Sequence, residues 1–410
     1  MYPQPAAVLA VGWLSVFLKS LCMNWSKIEY KPVKLGDTAT FINGYPFKPT
    51  DWSEEGLPII RIQNLTGNAY ESNFFSGKIA DKYFVQNGDI LISWSASLGI
   101  YEWYGGKAWL NQHIFKVVFD KTEIDKIFFK FLILEKLEEM KSMVHGATMK
   151  HITKGKFDNL DVKIPSLEVQ QQIAALLDRA DTLRQLDRQL LTHYDTLIQS
   201  VFLEMFGDPV KNEKGWEVQR LEAISNVVSG VAKNTKLEGD LVEVPYMRVA
   251  NVQDGRLNLN EIKTINVFKR DYEKYLLSDN DILMTEGGDP DKLGRAAIWK
   301  SQIKNCIHQN HIFRVRPNFS LINSLFLTTL IGSSYGKKYF LKAAKQTTGI
   351  ASINITQLKD FPALVPPLAL QQRFAAIVTK IEAQKATAAA QAEASEALFQ
   401  GLLQKAFGKH

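Results

Sequence analysis

The stretch "IPSLEVQQQIAALLDRAD" at residues 164–181 reads as a proline stop, a short apolar lead-in and the first turns of a helix. It returns as "VPPLALQQRFAAIVTKIE" at residues 365–382. Register is kept throughout: Leu167, Val169, Gln170, Gln171 and Ile173 fall on Leu368, Leu370, Gln371, Gln372 and Phe374, a constant offset of 201.

Four upstream matches occur in the same order, which makes an internal duplication the working model. "LPIIRIQNL" (57–65) answers "VPYMRVANV" (244–252), and "GDILIS" (88–93) answers "NDILMT" (280–285). "NQHIFKV" (111–117) answers "QNHIFRV" (309–315), and "GATMKHIT" (146–153) answers "GIASINIT" (349–356). The offset drifts from 187 to 203 before settling at 201, as expected where loops gained or lost residues.

Each copy has two parts. The first mixes strand-like runs such as "LPIIRI", "DILIS" and "HIFKVVF" with Gly, Asn and Asp turns, the pattern of an α+β module. The second is one long helix. In the first copy Ile173, Leu176, Ala180, Leu183, Asp187, Leu190, Tyr194, Leu197 and Val201 alternate in steps of three and four, a heptad seam with one charged interruption. In the second copy Phe374, Ile377, Ile381, Gln384, Ala388, Gln391, Ser395, Leu398 and Leu402 hold the same register. Gly207 and Gly408 stand where helix stops belong.

Connectivity then predicts topology. A helix of roughly 38 residues travels on the order of 55 Å. The second helix must run back along it if the seams are to pair. The expected fold is α+β: two tandem duplicated modules separated by a long antiparallel two-helix coiled coil, with pseudo-two-fold symmetry. The boundaries are an N-terminal extension at 1–24, a first module at 25–165, a central helix at 166–207, a second module at 208–366 and a C-terminal helix at 367–410. The extension contains "AAVLAVGWLSVFL" (6–18), thirteen uncharged residues without a basic lead, short for a membrane span. It is a start assigned too far upstream, with Met23 as the true one, or a core helix, or a membrane anchor; its length and flanks favour the first.

With 410 residues, 46% of them hydrophobic, the chain can bury two or three cores. Cys22 and Cys306 lie in unrelated contexts, so no disulfide framework is indicated and a reducing cytoplasm is the simpler home. A net charge of +6 permits a nucleic-acid partner without requiring one.

Catalytic motifs are not found. None of the Gly-Lys pairs at Gly77, Gly106, Gly155 and Gly336 is followed by Ser or Thr, which excludes a Walker loop. The one Pro-Pro, at Pro366, lacks the acidic or amide lead and the aromatic that adenine amino-methyltransferases carry. "GGDPDKLG" (287–294) reads as a turn-rich loop, answered in the first copy by "SWSASLG" (93–99). Cys306, His308 and His311 have metal-like spacing, but Ala108, Leu110 and His113 stand in their places, so a strand with alternating side chains is expected and no metal site. His113 and His311 recur behind Asn/Gln pairs, which suit either an adenine edge or a structural polar cluster. Lys154 and Lys156 follow Lys150, and Lys338, Lys342 and Lys345 are expected on one helix face, arranged for phosphates or for solvent.

A tandem of two diverged α+β modules, each closed by "P-x-L-x-x-Q-Q" and a heptad helix, resembles the specificity subunit of type I restriction-modification systems. The resemblance runs from about residue 25 to residue 408; the first 23 residues depart from it. It implies a non-catalytic, cytoplasmic subunit whose modules each read half of a split double-stranded DNA site. It further implies that the helices set the gap and bind two methyltransferase subunits, that restriction (motor and nuclease) subunits join the complex, and that no membrane is involved. The chain would bind no cofactor of its own; S-adenosylmethionine, ATP and Mg would belong to the partners.

Within that expectation the first module's candidate DNA contacts are Lys48, Arg61, Asn64, Trp94, Ser95, Asn111, Gln112, His113 and Lys150. The second module's are Lys233, Lys236, Arg248, Asn251, Glu286, Lys292, Gln309, Asn310 and His311. Arg61 and Arg248 recur, which favours backbone contact or internal bracing. Trp94 and Glu286 differ, which favours sequence discrimination. A scaffold gripping proteins instead of DNA is the rival reading, and a fused single-chain enzyme is disfavoured by the missing motifs.

Overall fold

The structure is a computed structural model that describes residues 23–67, 72–95, 97–142, 152–232, 238–289, 292–347 and 349–408. Lys150, Lys233, Lys236 and the apolar segment at 6–18 lie outside the described residues. Leu191–Thr387 form one compact unit and the rest of the described chain forms the other, so each unit combines one module with part of both long helices.

Up to the first long helix the elements are β1 (Lys31–Lys34), β2 (Thr40–Asn43), β3 (Leu57–Ile60), α1 (Ile62–Leu65), β4 (Phe74–Phe75), β5 (Phe84–Val85), β6 (Ile90–Ser93), β7 (Gly99–Glu102), β8 (Ala108–Leu110), β9 (Ile114–Val118), α2 (Lys126–Ser142), α3 (Lys154–Asp158) and β10 (Asp161–Ile164). The long helix is α4 (Leu167–Phe206). Then come β11 (Glu217–Arg220), α5 (Leu221–Ile224), β12 (Ser225–Ser229), β13 (Leu241–Met247), β14 (Lys263–Phe268), α6 (Lys269–Tyr275), β15 (Ile282–Thr285), β16 (Gly287–Gly288), β17 (Ala296–Ile298), β18 (Ile307–His308) and β19 (Ile312–Pro317). The chain closes with α7 (Ser324–Gly332), α8 (Ser334–Ala343), β20 (Lys345–Thr347), β21 (Ile350–Ser352), α9 (Ile355–Lys359), β22 (Pro362–Val365) and α10 (Leu368–Phe407).

The sequence repeat is a repeat of sheets. An antiparallel sheet in the order β2-β9-β6-β7 recurs as β12-β19-β15-β17. The parallel pair β3·β8 recurs as β13·β18, and the closing antiparallel pair β1·β10 recurs as β11·β22. Because β10 and β22 lead straight into α4 and α10, each module hands its last strand directly to a long helix.

Both junctions are held by the same buried side chain. Gln170 Oε1 accepts from the Asp125 amide at 2.8 Å while its Nε2 donates to Pro165 O at 3.0 Å; Gln371 does the same with the Asn323 amide (2.8 Å) and Pro366 O (2.7 Å). Asp125 and Asn323 in turn accept from the Phe128 and Phe326 amides and so cap α2 and α7. Gln171 and Gln372 are exposed.

In each unit the two long helices run antiparallel. In the first, Ile173, Leu177 and Ala180 of α4 share a core with Phe399, Leu402 and Ala406 of α10 and with the aromatic face of α2. In the second, Phe202 and Phe206 ring-pack on Phe374 at 5.7 and 5.4 Å. Ile173, Leu176, Phe374, Ile381 and Leu402 are buried, and Leu183, Leu190, Ile377 and Leu398 are half-buried. Leu197 is 45% exposed, and Ile198 takes its place at 8%. Gln384 also faces outward, while Val378 and Phe399 face inward. A straight helix drifts by about 20° per heptad against a strict 3.5-residue repeat, so a seam extrapolated over several turns slides off the buried face.

Two further expectations need correction. Lys345 is not on the helix with Lys338 and Lys342: α8 ends at Ala343, Ala344 turns extended, and Lys345 enters β20, paired to β21. "GGDPDKLG" is not all loop, since Gly287–Gly288 forms β16 against β21.

Candidate nucleic-acid interface

The recurring Arg-x-x-Asn is a turn. In each copy the Asn side chain accepts from the Arg backbone amide, Asn64 from Arg61 at 2.8 Å and Asn251 from Arg248 at 2.9 Å. Asn251 is buried and also donates to Asn258 O and Glu261 O. The arginines brace their own loops. Arg61 donates to Asn73 at 3.2 Å and its guanidinium lies 5.8 Å from the Trp52 ring. Arg248 donates to Glu261 O and sits 3.1 Å from the Glu261 carboxylate, which it holds below the usual carboxylate range. Both arginines are thus held against their own loops.

The recurring Asp of "GDILIS" and "NDILMT" is also a turn cap. Asp89 accepts from the Gln86 amide and pairs with Lys116 at 2.9 Å; buried Asp281 accepts from the Ser278 amide and is gripped two-pronged by Arg316 at 2.7 and 2.8 Å. These caps set where β6 and β15 begin, and the sequence reading did not single them out.

The far ends of those strands carry the shared frame. The Trp94 amide donates to His113 O at 3.1 Å, and Trp94 O accepts from the Ile152 amide; the Glu286 amide donates to His311 O at 3.0 Å, and Glu286 O accepts from the Ile353 amide. The Asn111 and Gln309 amides donate to Ile60 O and Met247 O, and those of Gln112 and Asn310 to Tyr45 O and Val231 O. This second crossing is tight enough to require glycine. A Cβ on Gly44 would lie 2.0 Å from Asn111 O, and one on Gly230 2.1 Å from His308 O.

On this common backbone the side chains differ. Trp94 donates from Nε1 to Asn43 at 3.0 Å, and its ring lies 5.0 Å from that of His113, tilted by 61°. Glu286 places Oε2 2.7 Å from His311 Nδ1, and Asn310 Nδ2 stands 3.4 Å from His311 Nε2. Asn111, Gln112, His113, Glu286, Gln309 and Asn310 are half-buried, and His311 is exposed.

The remaining candidates scatter. Ser95 is buried, so its hydroxyl is not presented to a ligand. Lys48 is exposed at the start of a short turn capped by Asp51, outside the shared frame. Lys292 ion-pairs with Asp289, which it holds below the usual carboxylate range. His308 is fully buried on β18; its Nδ1 donates to Ile312 O at 2.9 Å, and burial pushes its pKa down to about 4. Cys306 is buried beside it, with a thiol pushed up to about 12 by desolvation. Among the described residues no cluster of His, Cys, Asp and Glu is placed to hold a metal ion.

One backbone frame built twice, with exchanged side chains at its tips, defines a recognition protein: a fixed support presenting variable contacts. The family model described as type I restriction modification DNA specificity domain matches residues 27–193 and again 213–394, and the chain belongs to that family. It is 23% identical over 394 residues to the EcoBI specificity subunit of Escherichia coli, covering 89% of this chain and 80% of that one. It is 26% identical over 339 residues to the MjaVIII specificity subunit of Methanocaldococcus jannaschii, covering 77% of each. In fold it is similar to the S subunit of a type I restriction-modification system from M. genitalium, with a TM-score of 0.56 and 16% identity over 94% of this chain and 97% of that one. Among the described residues no helix is long and apolar enough to cross a membrane.

Proposed function

We propose that the chain is the DNA-reading subunit of a type I restriction-modification complex in which the module at 25–165 reads one half of a bipartite site and that at 208–366 reads the other. The helices at 166–207 and 367–410 fix the gap and dock two methyltransferase subunits. Those partners bring S-adenosylmethionine and flip the target adenine out of the stack. Restriction subunits bring ATP, Mg and cleavage, and the complex works in the cytoplasm. Family membership supports the DNA target. The observation that carries the split is the repeated strand-end frame with Trp94 beside His113 in one copy and Glu286 beside His311 in the other. Unlike tips on like supports predict two unrelated half-sequences. Arg61, Asn64, Arg248 and Asn251 support the loops around these tips; Lys48, Lys292 and the lysines outside the described residues are phosphate candidates.

The test is single-molecule sequencing of adenine methylation in cells that express this chain with its methyltransferase. Two short halves around a fixed unspecific gap is the expected motif; a soluble complex that leaves no motif overturns the reading. Binding that weakens steeply as salt rises separates a DNA reader from a protein-gripping scaffold.

A further inference from the structure

Glu286 is an unusual side chain for a tip to which DNA reading is assigned above, because an isolated carboxylate is repelled by phosphates. Its surroundings give it a definite polarity. His311 Nδ1 lies 2.7 Å from Glu286 Oε2, where an N–H donates to the carboxylate oxygen, and Asn310 Nδ2 stands 3.4 Å from His311 Nε2. Main-chain bonds on both sides, to His311 O and from Ile353 N, pin the residue itself. Among the described residues no donor reaches Oε1, and the side chains of Glu286 and His311 remain 35% and 54% exposed. The result is a partly exposed hydrogen-bond acceptor held on one side by His311. In the major groove the groups that meet an acceptor are exocyclic amines, N4 of cytosine and N6 of adenine; the carbonyl edges of guanine and thymine meet it with repulsion. In the first copy Trp94, whose side chain carries no acceptor, stands at this place.

We propose that Glu286, held by His311, reads an exocyclic amino group of one base in one half-site, and so selects cytosine or adenine over guanine or thymine at that position. This rests on the DNA-reading function proposed above.

The experiment measures affinity of the purified complex with its methyltransferase for its own site and for every single-base substitution in both halves. Wild type is compared with Glu286→Gln and Glu286→Ala. Gln can keep the bond to His311 with its oxygen and present an amine outward, so it tests polarity without removing volume. Discrimination is expected to fall by about ten-fold or more at one position of one half-site in both variants, with Gln shifting preference toward guanine or thymine. Unchanged discrimination everywhere, or an equal loss at all positions, overturns the assignment. A wild-type complex with no bipartite site at all sinks the DNA-reading function instead, so the two failures are distinct.

Discussion

The side-chain oxygen of Gln170 lies 2.8 Å from the amide nitrogen of Asp125, and Asp125 in turn caps α2. One glutamine thereby ties the start of the long helix to the start of the helix it packs against. Gln371 repeats the tie with Asn323. Gln170→Ala leaves a part-buried amide and a buried carbonyl without their partner and is expected to destabilise the first unit by about 1–3 kcal/mol. Gln171→Ala, one residue on and exposed, is expected to change stability by less than about 0.5 kcal/mol. Calorimetric melting of the two variants checks the contrast; equal shifts would mean that the repeated glutamines are not clamps.

Gly44→Ala forces a methyl group to within 2.0 Å of a main-chain oxygen at the crossing that supports the Trp94 tip. The expected cost is about 1–3 kcal/mol, with loss of discrimination in one half-site. Gly230→Ala is expected to affect the other half. Methylation motifs from the two variants, read in parallel, decide the point.

The pH dependence of the second unit has a clear sign. His308 is held neutral, with its pKa at about 4 against 6.5 for the free side chain. Between those values the unfolded chain binds more protons than the folded one, so stability is fully present above 6.5 and is lost as pH falls toward 4. The loss approaches about 3 kcal/mol at the lower end. His308→Gln keeps a donor for Ile312 O and is expected to flatten that part of the curve; denaturant melts of both proteins at pH 7 and pH 4.5 provide the comparison.

Asp187 is buried between the long helices, accepting from Ser395 at 2.6 Å and Gln391 at 2.9 Å. Asp187→Leu and Asp187→Ala both leave the Ser395 and Gln391 donors without their acceptor, but Leu fills the seam position that Ala leaves as a void, so Asp187→Leu is expected to be the less costly. Thermal melting ranks the three proteins; an alanine variant at least as stable as the leucine one would contradict this.

Much of the architecture was legible because duplication exposes it. The five matched stretches map onto β3/β13, β6/β15, β9/β19, the segments running into α3 and α9, and the starts of α4 and α10, so the strand frame could be read twice over. Recurrence by itself left backbone contact and internal bracing both open. Asn64, Asn251 and the two arginines recur because a turn needs an amide-capping side chain and a brace, and a single sequence does not distinguish that need from recognition. The seam failed at Leu197 because a heptad extrapolated along one helix ignores the drift of a straight helix against its partner.

The repeat, the α+β character of each half, the two long helices and the start of their first turns all follow from the order of residues along the chain. These depend on periodicity and on short-range turn chemistry, which lie along the chain. Tertiary structure decided which polar residues are supports and which are tips. Ser95 is buried, Gly44 and Gly230 lie against carbonyls far away in sequence, and Glu286 finds its partner twenty-five residues on at His311. Those relations arise only when strands distant in sequence pair.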